Sequence, residues 1–132
     1  MSCKSLVYGA NENGQAIVDG TIVNFGNVVR RFGCHCGMEG GNGVVRGQGY
    51  YNIDVNVSFG ATAAGTAVIT LYKDGTPISG AEATTSVVNT GVYTLTIPTA
   101  IRQMCDCESV ITAIIRGATG AITNAAIRIE KV

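Results

Sequence analysis

From Tyr51 the chain alternates almost without interruption. Tyr51, Ile53, Val55, Val57 and Phe59 fall on one parity, and Tyr50, Asn52, Asp54, Asn56 and Ser58 on the other. Strand side chains point to opposite faces with period two, so the run predicts a strand with one buried and one polar face. Downstream, Ala67 to Lys73 (AVITLYK) leads into Asp74-Gly75, a dipeptide suited to the positive φ values of a tight hairpin turn, and Pro77-Ile78 resumes beyond it. Val92 to Ile97 (VYTLTI) alternates again and is expected to end at Pro98, which has no N–H to give a ladder. Val110 to Ile115 and Ile122 to Ile129 read as a last pair of strands joined by a turn around Gly117 to Gly120. Ahead of the long run, Ser5 to Tyr8, Thr21 to Asn24 and Val28 to Phe32 are weaker strand candidates.

No segment has convincing helical periodicity. The nearest, Glu82 to Val88, is rich in Thr and Val and too short for a stable helix. Turn-formers recur roughly every eight to twelve residues, the spacing of an all-β sandwich or barrel. About eight strands without a helix predict a jelly roll or a similar sandwich of two sheets.

Composition narrows the function classes. A chain of 132 residues is long enough for one buried core, so a single domain is the default. Nine Lys plus Arg balance nine Asp plus Glu, which leaves no net field to steer the chain onto nucleic acid or an anionic membrane; neither is an expected partner. The apolar residues, 46% of the chain, are spread through short runs, none near the ~20 residues of a membrane-spanning helix, and a soluble protein is expected. MSCKSLVYGANENG carries only a four-residue apolar patch and is not read as a signal peptide.

Five cysteines leave at least one thiol without an intrachain partner. Cys34-His35-Cys36 and Cys105-Asp106-Cys107 are two Cys-x-Cys elements far apart in sequence. If their loops converge, four thiolates could hold zinc, with His35 or Asp106 as substitutes, although structural zinc loops usually space their cysteines by two to four residues. The alternative is a pair of disulfides joining Cys34 or Cys36 to Cys105 or Cys107, in oxidising surroundings. A structural role for these sulfurs is preferred to a metal site, and no cofactor is expected. Cys3 is the odd one out, open to a free thiol or an intersubunit bond.

The remaining chemistry is sparse. Redox enzymes use Cys-x-x-Cys at a helix start, which is missing here. His35, the only histidine, sits between Cys34 and Cys36, and neighbours on an extended strand point apart, so no cysteine–histidine dyad is expected. GMEGGNG, residues 37 to 43, lacks the Gly-Lys-Ser/Thr ending of a phosphate loop and reads as a turn. The carboxylates do not follow a calcium-loop pattern. Arg30-Arg31 is the only basic doublet, with Arg46 and Arg102 standing singly. The polar row Asn52, Asp54, Asn56 and Ser58, with Asn124, Arg128 and Glu130 of the last strand, either meets water or lines a subunit interface in which Asp54 and Arg128 could pair.

GYYNIDVNVSF, LYKDGTPISGA, VYTLTIP and the closing hydrophobic strand resemble the tumour-necrosis-factor/C1q-like jelly roll, in which a Gly-x-Tyr motif opens a long central strand. The resemblance covers residues from about 44 to 132 well and the first 43 loosely. With VVRRFGCHC, IRQMCDC and VITAIIRG ahead of AAIRIEKV, the layout is also similar to small head-fibre or capsid-decoration proteins of bacteriophages. The chain lacks the collagen-like stalk of C1q-like members, so a fibre head would attach through residues 1 to 32 or through a partner. Residues 1 to 32 are read as an N-terminal segment with early strands that could act as an attachment arm, and residues 33 to 132 as the jelly-roll domain.

The resemblance implies a homotrimer with the polar face of one sheet near the three-fold axis, placing Tyr50, Asn52, Asp54, Asn56, Asn124 and Arg128 at the seam. It further implies a virion surface protein, made in the host cytoplasm, that acts by binding capsid or other virion proteins, with a host surface glycan as a further candidate partner. Trimeric repetition would gather the arginines into a ring able to meet an acidic capsid. The competing readings are an adhesin or glycan-binding module of a bacterial or spore surface fibre, which would show exposed loop aromatics, and a cupin-type enzyme, which a single histidine cannot supply with a metal cluster. No catalytic residue is expected.

Overall fold

The computed structural model describes residues 4 to 132, which form twelve strands and, among the described residues, no helix. Four short strands come first: β1 (Ser5–Asn11), β2 (Gln15–Ile17), β3 (Thr21–Ile22) and β4 (Asn27–Phe32). A small hairpin follows, β5 (Cys36–Glu39) and β6 (Asn42–Arg46), then the long strands β7 (Gly49–Ala61), β8 (Gly65–Lys73), β9 (Thr76–Val87), β10 (Val92–Gln103), β11 (Glu108–Arg116) and β12 (Gly120–Lys131).

Two antiparallel sheets pack face to face as a TNF-like jelly roll. One runs β10-β7-β12-β1-β4, with β2 also on β12; the other runs β5-β6-β11-β8-β9, with β3 also on β11. We call these the first and second sheet. The core lies where their inner parities meet. Tyr51, Ile53, Val55, Val57 and Phe59 of β7 are all buried, and Ala125, Ile127 and Ile129 of β12 continue that layer. Ala67, Ile69 and Leu71 of β8 and Ile111, Ala113 and Ile115 of β11 face them from the second sheet. Each large side chain so buried stabilises the fold by about 1.5–3 kcal/mol, which is what selects this register over a one-residue slip.

The expected strands around 51 to 59, 67 to 73 and 110 to 115 are present, and Glu82 to Val88 belongs to strand β9 and its end. Two local expectations are corrected. Pro98 does not end β10: it pairs with Asp54, and the strand continues to Gln103. β10 is the terminal strand of its sheet and needs only alternate N–H groups for its one ladder, so a proline is tolerated.

The last two strands are not a pair. β11 bonds β6, β8 and β3 in the second sheet, whereas β12 bonds β7, β1 and β2 in the first, so the Gly117 to Gly120 turn carries the chain across the sandwich. Nor is β12 strictly periodic. Ile122 shares parity with Asn124 and Arg128 yet is buried while they face outward, because the register with β7 shifts between Ile122 and Asn124. One extra residue there returns Ile122 to the core.

Residues before position 33 enter both sheets from Ser5 onward. β1 lies between β12 and β4, with Val7 fully buried, while β3 joins β11. No seam in the hydrogen bonding separates them from the later strands. The glycine stretch 37 to 43 forms the β5–β6 hairpin, in which Gly40 and Gly41 take φ of 57° and 82° between Glu39 and Asn42. That is the backbone of a two-residue turn with both central residues at positive φ.

Candidate assembly face and cysteine loops

The outward parity of the first sheet carries every residue expected at a seam. Register aligns Arg30, Tyr8, Arg128, Asp54 and Pro98 in one row across five strands, and Phe32, Leu6, Glu130, Asn52 and Ala100 in the next. Asn56 lies between Ala126 and Thr96, and Asn124 beside Ser58, whose hydroxyl meets that of Thr94 at 2.9 Å. Tyr50 ends the face at 58% exposure, with the Arg102 guanidinium 5.7 Å from its ring centroid. All six positions, Tyr50, Asn52, Asp54, Asn56, Asn124 and Arg128, thus share one surface.

The Asp54–Arg128 contact lies within a single chain. The two residues are direct cross-strand neighbours, and the Arg128 guanidinium donates to the Asp54 carboxylate. The face therefore carries its central charges already neutralised against each other. Around them Tyr8, Phe32 and Tyr50 are exposed, and every residue of β4 is exposed along an edge that bonds only β1.

Of the other arginines, Arg46 is held between Glu108 at 2.8 Å and Glu39 at 3.2 Å, and Arg31 donates to the Cys36 carbonyl at 3.1 Å. Neither is free to build a docking ring. Of the aromatics open to a glycan-stacking role, Phe25 and Phe59 are buried, and Tyr72 lies under Arg116, whose guanidinium is 5.6 Å from its ring.

The two Cys-x-Cys elements do approach one turn. Arg46 N–H donates to the His35 carbonyl, and the next residue, Gly47, donates to the Cys107 carbonyl. Their sulfurs do not cross. Cys105 and Cys107 are bonded to each other, with Cα atoms 5.2 Å apart, while Cys34 is an exposed free thiol and Cys36 a buried one. The reason is strand order. Cys36 stands opposite Val45, and Val45 opposite Ser109, so β6 lies between the two elements. Two strand spacings of about 4.8 Å exceed the ~7 Å that a disulfide can span between Cα atoms. Among the described residues no three His, Cys, Asp or Glu side chains gather as a metal site. Cys3 lies outside the described residues.

Backbone groups hold this corner. The Ser5 hydroxyl accepts from His35 N–H and Cys36 N–H at 3.1 Å each and donates to the Phe32 carbonyl. A His35 ring nitrogen, Nδ1, meets the Arg46 carbonyl at 2.8 Å, so no cysteine engages it. Tyr51, on the buried parity, reaches the same turn: its hydroxyl lies 2.7 Å from the Arg46 carbonyl and 2.8 Å from that of Gly47. Burial, helped by Cys36, Cys34 and Asp106 nearby, pushes its phenol up to about 12. Burial also raises the Cys36 thiol, against the opposing pull of its Ser5 hydrogen bond and Lys131. A raised pKa leaves less thiolate, so this sulfur is a poor nucleophile. Tyr51 was legible only as a core residue, because its hydroxyl partners come from a turn whose shape the sequence does not announce.

Comparison with known proteins places the fold and nothing finer. No protein-family model matches the chain, and no curated protein matches its sequence. Among solved structures, that of murine APRIL at pH 5.0 superposes with a TM-score of 0.73 at 17% identity, covering 98% of this chain and 100% of that one. Murine APRIL at pH 8.5 gives 0.71 at 16% identity with the same coverage. APRIL is a TNF-family jelly-roll protein, and the likeness is to its fold.

Proposed function

We propose that the protein is a homotrimeric virion surface component, a bacteriophage head fibre or capsid decoration protein, that acts by binding. One observation carries the assembly part of this reading: a five-strand face that exposes Tyr8, Phe32 and Tyr50 around a charge pair already neutralised within the chain. Tyr, Phe and Arg are the residue types that subunit interfaces favour, and an internally paired Asp–Arg can be covered with a smaller desolvation penalty than two lone charges. The β4 edge adds to the argument. An open edge with Val29 and Phe32 exposed invites strand-to-strand aggregation unless a neighbour covers it, and head-to-tail packing of three copies closes such edges into a ring.

The virion part rests on the similarity of the sequence layout to phage head fibres. The chemistry of the described residues is compatible with it: the buried polar groups have partners, the histidine is bonded to backbone, and the free buried thiol is held protonated.

The test is the native mass by light scattering, with and without reductant, followed by immunogold labelling of phage particles from a host carrying the gene. A mass three times the 13.6 kDa chain that survives reduction, with label on capsids, is the expected result. A monomer overturns the trimer, and unlabelled capsids overturn the virion assignment.

A further inference from the structure

At one end of the first sheet lies an open cleft of about 610 Å³ whose polar side chains are all carboxamides: Asn11, Asn13, Asn24 and Asn27. It is bounded by the turn after β1, the segment entering β4 and the β5–β6 hairpin. We infer that this cleft binds a neutral polyhydroxylated ligand, a saccharide. The inference goes beyond the assembly reading and does not depend on it.

The division of labour among the amides carries the argument. Asn11 is buried and bonded at both ends of its amide: Nδ2 donates to the Asn24 carbonyl at 3.0 Å, and Oδ1 accepts from Asn13 N–H at 3.0 Å. Asn24 accepts from Gly26 N–H through Oδ1 at 2.7 Å, and its own N–H donates to Gln15 Oε1. These bonds set the walls. The hairpin wall is fixed too, since Phe25 N–H donates to the Gly41 carbonyl at 2.8 Å and the Phe25 ring is fully buried.

What remains points outward. Among the described residues no hydrogen bond engages the side chains of Asn13 or Asn27, or the Nδ2 of Asn24, and all three residues are exposed. An amide offers a donor pair and an acceptor in one plane, which matches adjacent hydroxyls of a sugar. No charged side chain lines the cleft, so an anion would find no countercharge, and a divalent cation would find no carboxylate. Half-buried Met38 provides an apolar patch for the C–H face of a pyranose. The volume falls in the range of small-ligand sites, ~300–1,000 Å³.

The experiment is a ¹H–¹⁵N NMR titration of the intact protein in its native oligomeric state. The probes are maltohexaose, cellohexaose and hexa-N-acetylchitohexaose, with hexagalacturonate as the anionic comparison. The expected result is that at least one neutral hexamer shifts the side-chain amide signals of Asn13, Asn24 and Asn27, with hexagalacturonate weaker. Asn13→Ala and Asn27→Ala should each weaken that binding about tenfold, one lost hydrogen bond's worth, while leaving the melting temperature unchanged because both side chains are exposed and unbonded. The inference is overturned if none of the neutral hexamers shifts these signals, if hexagalacturonate binds as well as they do, or if the double variant Asn13→Ala/Asn27→Ala, folded by its spectrum, binds undiminished. None of these outcomes bears on the light-scattering mass, so the two readings fail separately.

Discussion

Asp74 and Val110 exchange two hydrogen bonds, one of them through a side chain. Asp74 N–H donates to the Val110 carbonyl at 3.0 Å, and Val110 N–H donates to Asp74 Oδ1 at 2.9 Å. The carboxylate replaces the backbone carbonyl that the chain has turned away at the β8–β9 hairpin, where Asp74 takes a φ of 51°. This residue therefore serves both the turn and the last rung of the β8–β11 ladder.

Acid stability follows from that bond. The Val110 N–H, with the Ser109 hydroxyl, holds the Asp74 carboxyl below its ordinary value of 3.8. A depressed folded-state pKa contributes stability that is present above 3.8 and lost as pH falls through the folded value. Asp74→Ala should cost about 1 kcal/mol at neutral pH, since solvent reaches the carboxylate, and the difference should shrink in acid. Asp74→Asn should keep the turn and flatten the pH dependence. Urea melts at pH 7 and below the carboxylate range check both.

Tyr51→Phe should destabilise the protein by about 1–2 kcal/mol, because two carbonyls of the Arg46–Gly47 turn lose a buried donor. The alkaline limb has the opposite sign from Asp74. A phenol raised to about 12 contributes stability that is complete below its ordinary value of 10 and lost as pH rises toward 12. The unfolding difference between wild type and variant, followed by fluorescence or circular dichroism, should therefore narrow at high pH.

The sulfurs should react in a fixed order. In the folded protein an alkylating reagent should modify Cys34 and spare Cys36, which is buried with a raised pKa. Cys36 should appear only after denaturation, and Cys105 and Cys107 only after reduction. Peptide mapping by mass spectrometry reads each site. A peptide joining Cys34 or Cys36 to Cys105 or Cys107 would contradict the strand order described above.

Gly117→Ala should be among the more damaging single changes, at about 3 kcal/mol. Gly117 has a φ of 76°, and a Cβ there would collide with the Thr66 carbonyl oxygen at the crossing between the sheets. Thermal denaturation compared with Ala121→Gly, at an exposed position of β12 ahead of its bulge, separates this clash from a general effect of strand substitutions.

Arg128→Ala and Asp54→Ala should each change protomer stability by no more than about 1 kcal/mol, the usual worth of an exposed pair. Each leaves one unpaired charge at the centre of the proposed seam, so assembly should weaken far more, and the double variant should recover part of the loss. Sedimentation at several concentrations distinguishes this from a face that only meets water, where all three variants would assemble as wild type does.

The fold was legible wherever a strand has one wet and one dry face. Residues 51 to 59 show their inner parity directly, and the Asp74-Gly75 turn shows its φ requirement. Pro98 misled because a proline excludes a central ladder but not an edge one, and edges are a property of the sheet. Ile122 and Asn124 share a parity and occupy opposite faces, which a bulge permits and no periodicity reveals. The six positions expected at a seam share one outward face because alternation on β7 and β12 survives into the structure. The asparagine cleft was missed because its residues come from three separate turns. The only signal was the local density of Asn and Gly between 11 and 27.

The amino-acid sequence by itself determined that this is an all-β protein, and it determined which side chains of the long strands are buried, because period-two alternation acts within one strand and needs no partner. The tertiary structure decided which strands are neighbours. With β6 between the two cysteine elements, Cys105 bonds Cys107 and leaves Cys36 a thiol; with β12 beside β7, Arg128 meets Asp54 within one chain. Those outcomes depend on distances between residues remote in sequence, which hydrophobic burial sets only when the two sheets close on each other.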